Sequence, residues 1–222
     1  RVRSSAASDV YKRQVPRLAG GFGSTGTSGS AAIVLTGSQG YFYAPDGTLL
    51  SGPVTGGAAW TRVGSAALRC LPGPAAADGR PSAGQLAASG GAGNGLMLAC
   101  PAASQPAAGA AGAKQQESIY GSRDGGQAWQ LRGTLTTIGP ATSLAAATGG
   151  VAVLATRQCI DVSADDGASW RQAQSGPVGG FSYVGLTSPS QGVAVPADAH
   201  LDAVWFSYDG GQSWQRSAIT GG

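Results

Sequence analysis

Three segments of this sequence align without a gap: Ser122-Arg-Asp-Gly-Gly-Gln-Ala-Trp129, Ser163-Ala-Asp-Asp-Gly-Ala-Ser-Trp170 and Ser207-Tyr-Asp-Gly-Gly-Gln-Ser-Trp214. Each reads S-x-D-x-G-x-x-W, and their starts lie 41 and 44 residues apart. One repeat unit cannot bury an apolar face alone, so the period constrains the fold more than any local signal does. A spacing of about 40–45 residues fits one four-stranded blade of a β-propeller and is too long for a single hairpin.

The stretches between the boxes divide into short runs punctuated by Gly, Pro, Ser and Asp, with no sustained 3.6-residue apolar period. The last unit predicts strands at 181–187, 192–196, 203–208 and 213–219. The unit before it gives 143–147, 150–155, 159–164 and 169–174. A third blade is drawn through 85–88, 95–100, 118–122 and 129–134, with residues 101–116, PAASQPAAGAAGAKQQ, as a connecting loop that has little to pack. A first blade runs through 31–35, 41–43, 47–50 and 59–63. There Trp60 takes the box-Trp position and Ala-Pro-Asp-Gly at 44–47 is read as a degenerate box turn. Residues 20–29 are nearly all Gly, Ser and Thr, and 71–84 are rich in Pro and Gly; both read as joints. The fold class expected is all-β: an antiparallel propeller of about four blades over 31–222, truncated at its N-terminus, with a flexible joint at 15–30.

The box has a physical reading of its own. Asp-Gly between two apolar runs is a strong hairpin signal. Asp124, Asp165 and Asp209 can accept turn N–H groups, and Ser122, Ser163 and Ser207, two residues earlier, can add a second local bond. Gly126, Gly167 and Gly211 adopt positive φ without a Cβ penalty. Trp129, Trp170 and Trp214 open the returning strand and fold over the turn. Asp166, at a variable position of the second box, is expected to tolerate Ala.

On these twelve residues the sequence resembles the Asp-box, or BNR-repeat, proteins: sialidases, the sortilin family, photosystem assembly factors and many bacterial secreted proteins. The resemblance covers about residues 31–220. It implies a box on the blade periphery, remote from the active face, and an exported bacterial protein, secreted or in the cell envelope. Residues 1–14, RVRSSAASDVYKRQ, resemble a translated sequencing-adaptor artefact, a scar that would have displaced the true N-terminus and any signal peptide.

Setting that segment aside removes the net charge of +3, leaving ten basic and ten acidic side chains and no basic patch for nucleic acid or an anionic membrane. Apolar runs such as 95–100 fall far short of the ~20 residues that cross a bilayer.

Catalysis has little to work with. Glycoside hydrolysis normally needs two carboxyl groups across the scissile bond, and the resemblance to sialidases implies a Tyr–Glu pair, an Asp and three Arg. This chain has one Glu, Glu117, at the end of the Ala/Gly loop, and Asp78, Asp161, Asp198 and Asp202 remain once turns and boxes are counted. The family's Arg-Ile-Pro string is absent. His200, the sole His, and three scattered Cys match no zinc spacing, and residues 20–30 lack the Lys-Ser/Thr of a phosphate loop. No catalytic residue, metal or cofactor is implied. The expected function is a non-catalytic binding or scaffolding propeller for a carbohydrate, peptide or protein, the alternative being a fragment of a sialidase-like exo-glycosidase. Phe181, Tyr183 and Arg157 are ligand-binding candidates by position. Cys70 and Cys100 flank the 71–84 joint and could be bridged in an exported protein, with buried free thiols as the other possibility. Cys159 is then left over, in its strand.

Overall fold

The computed structural model describes residues 32–44, 47–55, 59–64, 70, 84–89, 95–102 and 114–219. The adaptor-like segment 1–14, the joint 15–30, Asp46 and Asp78 lie outside the described residues.

Among the described residues, sixteen strands form four antiparallel four-stranded sheets, each a meander in chain order. Blade 1 is β1 (Ala32–Thr36), β2 (Gln39–Tyr43), β3 (Leu49–Pro53) and β4 (Thr61–Arg62). Blade 2 is β5 (Gln85–Ala88), β6 (Leu96–Pro101), β7 (Lys114–Ser122) and β8 (Gln130–Ile138). Blade 3 is β9 (Ala141–Ala146), β10 (Ala152–Thr156), β11 (Cys159–Ser163) and β12 (Arg171–Ser175). Blade 4 is β13 (Phe181–Leu186), β14 (Gly192–Pro196), β15 (Ala203–Ser207) and β16 (Gln215–Ala218). No helix among the described residues is long and apolar enough to cross a membrane.

The first strand of each blade packs on the first strand of the next, β1 on β5, β5 on β9 and β9 on β13. These inner strands share no ladder, and side-chain hydroxyls join β9 to β13 instead. Thr142 Oγ1 donates to the Phe181 carbonyl at 2.8 Å, while Ser143 Oγ donates to the Val184 carbonyl and accepts its N–H, both at 3.2 Å.

Because side chains alternate across each sheet, the two middle blades are buried on both faces and the outer two on one, so the core is three layers between blades. Tyr41, Tyr43 and Leu49 of blade 1 meet Leu86, Leu96 and Leu98 of blade 2. Met97, Ile119 and Leu135 of blade 2 meet Leu144, Ala152 and Leu154 of blade 3. Val153, Ile160 and Val162 of blade 3 meet Phe181, Val184, Ala194 and Trp205 of blade 4. Cys70 and Cys100 form a disulfide against the first layer, their Cα atoms 5.0 Å apart. Cys159 is a free, buried thiol.

Two sequence expectations need correction. The Ala44–Gly47 turn joins β2 to β3, whereas every box joins a third strand to a fourth, so it lies at the opposite edge of blade 1. It closes by Gly47 N–H on the Ala44 carbonyl at 2.9 Å. The box counterpart is the β3–β4 connection, where Pro53 and Thr55 stand seven and five residues before Trp60, in the Ser and Asp positions. The 101–116 loop is also shorter than expected: β7 begins at Lys114, and Gln115 is buried. Polar composition hid that strand, whose burial alternates from Lys114 onward.

Candidate functional site

The meander gives each blade two edges. One carries the first-to-second and third-to-fourth turns; the other carries the second-to-third turns and the links to the next blade.

The first edge is the box edge, and its three boxes close alike. Ser122, Ser163 and Ser207 donate from Oγ to the Oδ1 of Asp124, Asp165 and Asp209 at 2.7, 2.8 and 2.9 Å. The same hydroxyls accept the N–H of Gly126, Gly167 and Gly211 at 2.8, 2.9 and 2.8 Å. Each Asp Oδ1 also accepts an N–H four residues on, from Ala128, Ser169 or Ser213, at 2.9 Å. In the last two boxes the Trp170 and Trp214 indoles donate to the Gly167 and Gly211 carbonyls at 3.0 and 2.9 Å.

The box glycines are required twice over. Their φ angles are 89°, 84° and 84°, and each backs onto the preceding blade. A Cβ would lie 2.6 Å from Val153 Cγ2 at Gly211 and 2.8 Å from Ile119 Cγ2 at Gly167. The box thus locks its own hairpin and wedges it against the neighbouring blade. Asp165 is held down to about 2 by the Ser169 hydroxyl and N–H and by Ser163. These carboxylates are already engaged by the turn, so the box edge offers little to a ligand.

Asp166 corrects the expectation of tolerance. Its φ is 58°, in the left-handed region, where the other two boxes place Gly125 and Gly210. Asp enters that region more readily than Ala does.

The opposite edge holds the buried polar chemistry. Apart from the box serines, the buried polar side chains among the described residues are Gln115, Glu117, Thr137, Thr156 and Asp161. All sit between blades 2 and 3. Gln115 and Glu117 share a face of β7 with Ile119, and Thr137 shares one of β8 with Leu135. Across the layer, Ala141 donates its N–H to Glu117 Oε1 at 3.5 Å and pairs with Thr156 in the sheet. Thr156 Oγ1 lies 3.4 Å from Cys159 Sγ, which in turn lies 3.4 Å from Asp161 Oδ2. Gln115 Oε1 is buried without a partner.

Glu117 is 1% exposed. Burial pushes its carboxyl up to about 7, and the Ala141 N–H pulls weakly the other way. Burial likewise raises Asp161, against the pull of the Cys159 thiol. It also pushes Cys159 up to about 11, despite the Thr156 hydroxyl, so the thiol stays protonated near neutrality. A carboxyl near 7 lies in the range of a general acid, but Glu117 is sealed from substrate. Among the described residues no group of three His, Cys, Asp or Glu is placed to hold a metal ion.

The ligand-binding candidates do not converge. Phe181 is fully buried, edge-on to Trp205 with ring centroids 5.4 Å apart, so it serves the layer between blades 3 and 4. Tyr183 is 51% exposed, on the face of blade 4 that points away from blade 3. Arg157 is exposed in the β10–β11 turn, its backbone pressed against Gly180, where no Cβ fits. His200 is exposed in a 3-10 turn whose N–H bonds Asp198 Oδ1 at 2.9 Å. Gln115, Thr137 and Thr156 escaped the sequence reading; the alternation of Lys-Gln-Gln-Glu into Ser-Ile was the signal for the first.

No protein-family model matches the sequence, and no curated protein matches it. Solved structures do. The chain is similar to YCF48 bound to a D1 peptide, with TM-score 0.50 and 17% identity over 84% of this chain and 53% of that one. It is similar to the GH74 xyloglucanase from Xanthomonas campestris, with TM-score 0.50 and 19% identity over 81% of this chain and 28% of that one. The chain therefore spans about half the length of the first and about a quarter of the second. At such identities the likeness speaks for fold alone: with four meander blades joined through their inner strands, this chain is a β-propeller.

Proposed function

We propose that this chain is a non-catalytic binding propeller of the Asp-box type, exported to the bacterial envelope or beyond. Its ligand is a peptide or protein segment taken on the edge opposite the boxes. The placement of the carboxyl groups carries the reading. Glu117 and Asp161, the carboxyl groups borne on strands among the described residues, are both sealed between blades, so neither reaches a sugar. A disulfide between Cys70 and Cys100 suits an oxidising compartment. The three closed S-x-D-x-G-x-x-W turns support the Asp-box type, and the likeness to a propeller bound to a peptide supports the ligand class. The second reading is a fragment of a sialidase-like exo-glycosidase; the likeness to a xyloglucanase supports only its coarser form, a fragment of a glycosidase.

Two measurements test the proposal. A fluorogenic sialoside and xyloglucan should both be left intact; turnover that disappears in Glu117→Gln would favour the glycosidase. Panning a displayed random-peptide library on the immobilised protein should enrich sequences whose capture is lost in Arg157→Ala and kept in Asp124→Asn. Capture lost in Asp124→Asn and kept in Arg157→Ala would place recognition on the box edge and overturn the reading.

A further inference from the structure

The layer between blades 2 and 3 holds more hydrogen-bond acceptors than donors. Gln115 Oε1 is buried there with no donor. Glu117, two residues on along the same face of β7, is 1% exposed and meets only the Ala141 N–H, at 3.5 Å. Residues i and i+2 of a strand stand about 7 Å apart on one face, within reach of two side chains of this length.

Nothing positive answers the carboxyl. No Lys, Arg or His is buried among the described residues. Around Glu117, β5, β6, β9 and β10 carry no free titratable group, since Cys100 on β6 is tied in the disulfide. β11 brings the Cys159 thiol and Asp161, a further acceptor that the thiol already meets. Arg132 on β8 lies over Gly121, toward the box edge. Lys114 and Tyr120 stand on the other face of β7, and Arg157 is exposed in its turn.

A carboxylate in this place would be an unpaired buried charge beside a second acceptor that also lacks a donor. A neutral acid removes both faults, because it carries no charge and its O–H supplies the missing donor. We propose that Glu117 is a proton-operated latch between blades 2 and 3: as a neutral acid it donates its O–H to Gln115 Oε1 while its own Oε1 accepts the Ala141 N–H, and when that proton leaves to solvent the latch opens. The burial that pushes this carboxyl up to about 7 places release near neutrality.

The latch bears on more than one residue. Ala141 begins β9 directly after the Gly139–Pro140 link, and Thr137 Oγ1 donates to the Gly139 carbonyl at 2.8 Å. Ala141 pairs with Thr156, whose Oγ1 accepts the Gln158 and Cys159 N–H groups at 3.1 and 3.0 Å. Release therefore acts on the link between the blades and on the Arg157 turn together. An ionised Glu117 regains water only where the layer parts locally at this edge.

Glu117 is the sole Glu of the chain, so carbon-13-labelled glutamate gives one carboxyl to follow by infrared spectroscopy. At pH 6, where an ordinary Glu is ionised, the labelled band should be that of a neutral acid, titrating away with a midpoint near 7. Gln115→Met, which keeps the length and removes the acceptor, should move that band to higher frequency; Asp161→Asn should leave it in place. Amide exchange over residues 137–142 should rise more steeply from pH 6 to 8.5 in the wild type than in Glu117→Gln, which is neutral throughout. A carboxylate band at pH 6 would overturn the proposal with no variant needed. A neutral-acid band unmoved by Gln115→Met, or moved only by Asp161→Asn, would take the proton away from Gln115. Parallel exchange profiles would show that proton release opens nothing.

Discussion

The two edges of these blades solve opposite problems with the same residue types. At the box edge, a Ser, an Asp and a Gly repeat three times with hydrogen bonds that agree within 0.2 Å. Their carboxylates are ionised, exposed and held by local donors. At the opposite edge, between blades 2 and 3, carboxyl groups are buried, raised in pKa and specific to one interface. The lesson is that the repeat keeps what closes the same turn in blades 2, 3 and 4, whereas individual chemistry collects where the blades differ.

The contrast is sharpest in pH. Asp165 is depressed to about 2 in the folded chain, so its contribution is present above its ordinary 3.8 and lost as pH falls through 2. Glu117 is raised from 4.5 to about 7, so the folded chain holds a proton the unfolded chain has released. Its contribution is full below 4.5, declines as pH rises to 7 and is flat beyond. One edge weakens in acid and the other toward neutrality.

The largest expected effect is at the box edge. Trp214→Ala removes a buried ring and its bond to Gly211, and should cost about 3–5 kcal/mol in a urea melt. A loss below 1 kcal/mol would mean that the box is not wedged against blade 3. Next comes Glu117→Gln, which keeps an acceptor for Ala141 and deletes the charge. Wild type should lose roughly 3 kcal/mol between pH 4.5 and 7 from this group, at 1.36 kcal/mol per pH unit. The variant should lack that component, so melting temperatures at pH 5 and pH 8 should draw together. Parallel pH profiles would show that Glu117 is not buried as a neutral acid.

Asp209→Ala should cost about 1 kcal/mol, typical of a lost capping carboxylate, because water can reach part of this exposed turn. Its effect should vanish in a Ser207→Ala background if the two act as one unit, which a double-mutant cycle reads directly. The smallest effect is at Asp166: Ala there should lower stability by about 1 kcal/mol, while Gly should be neutral within about 0.5 kcal/mol. Equal midpoints for Asp166→Ala and wild type would remove the left-handed strain from the account.

Much of the architecture was legible because its causes are local. Asp-Gly turns, strand-length apolar runs and a period near 42 residues act within a few residues or repeat at fixed distance, so four blades and most strand positions could be read directly. The site was less legible. Polar Lys114–Glu117 looks like the tail of a loop, yet β7 runs through it because blade 3 covers its inner face. Ala-Pro-Asp-Gly at 44–47 looked like a box by composition, but only sheet order shows which connection a turn belongs to. Position in the sequence singles out Phe181, Tyr183 and Arg157 as a functional face, yet packing against Trp205 turns the Phe181 ring inward.

The sequence by itself determined the blade, since a hairpin closed by Ser, Asp, Gly and Trp satisfies its donors with its own atoms. Only the tertiary structure decided where carboxyl groups lose water and which side chains of a blade its neighbour buries. Those outcomes depend on what the next blade places opposite each residue, tens of positions away along the chain, and desolvation is set by that neighbour rather than by the residue itself.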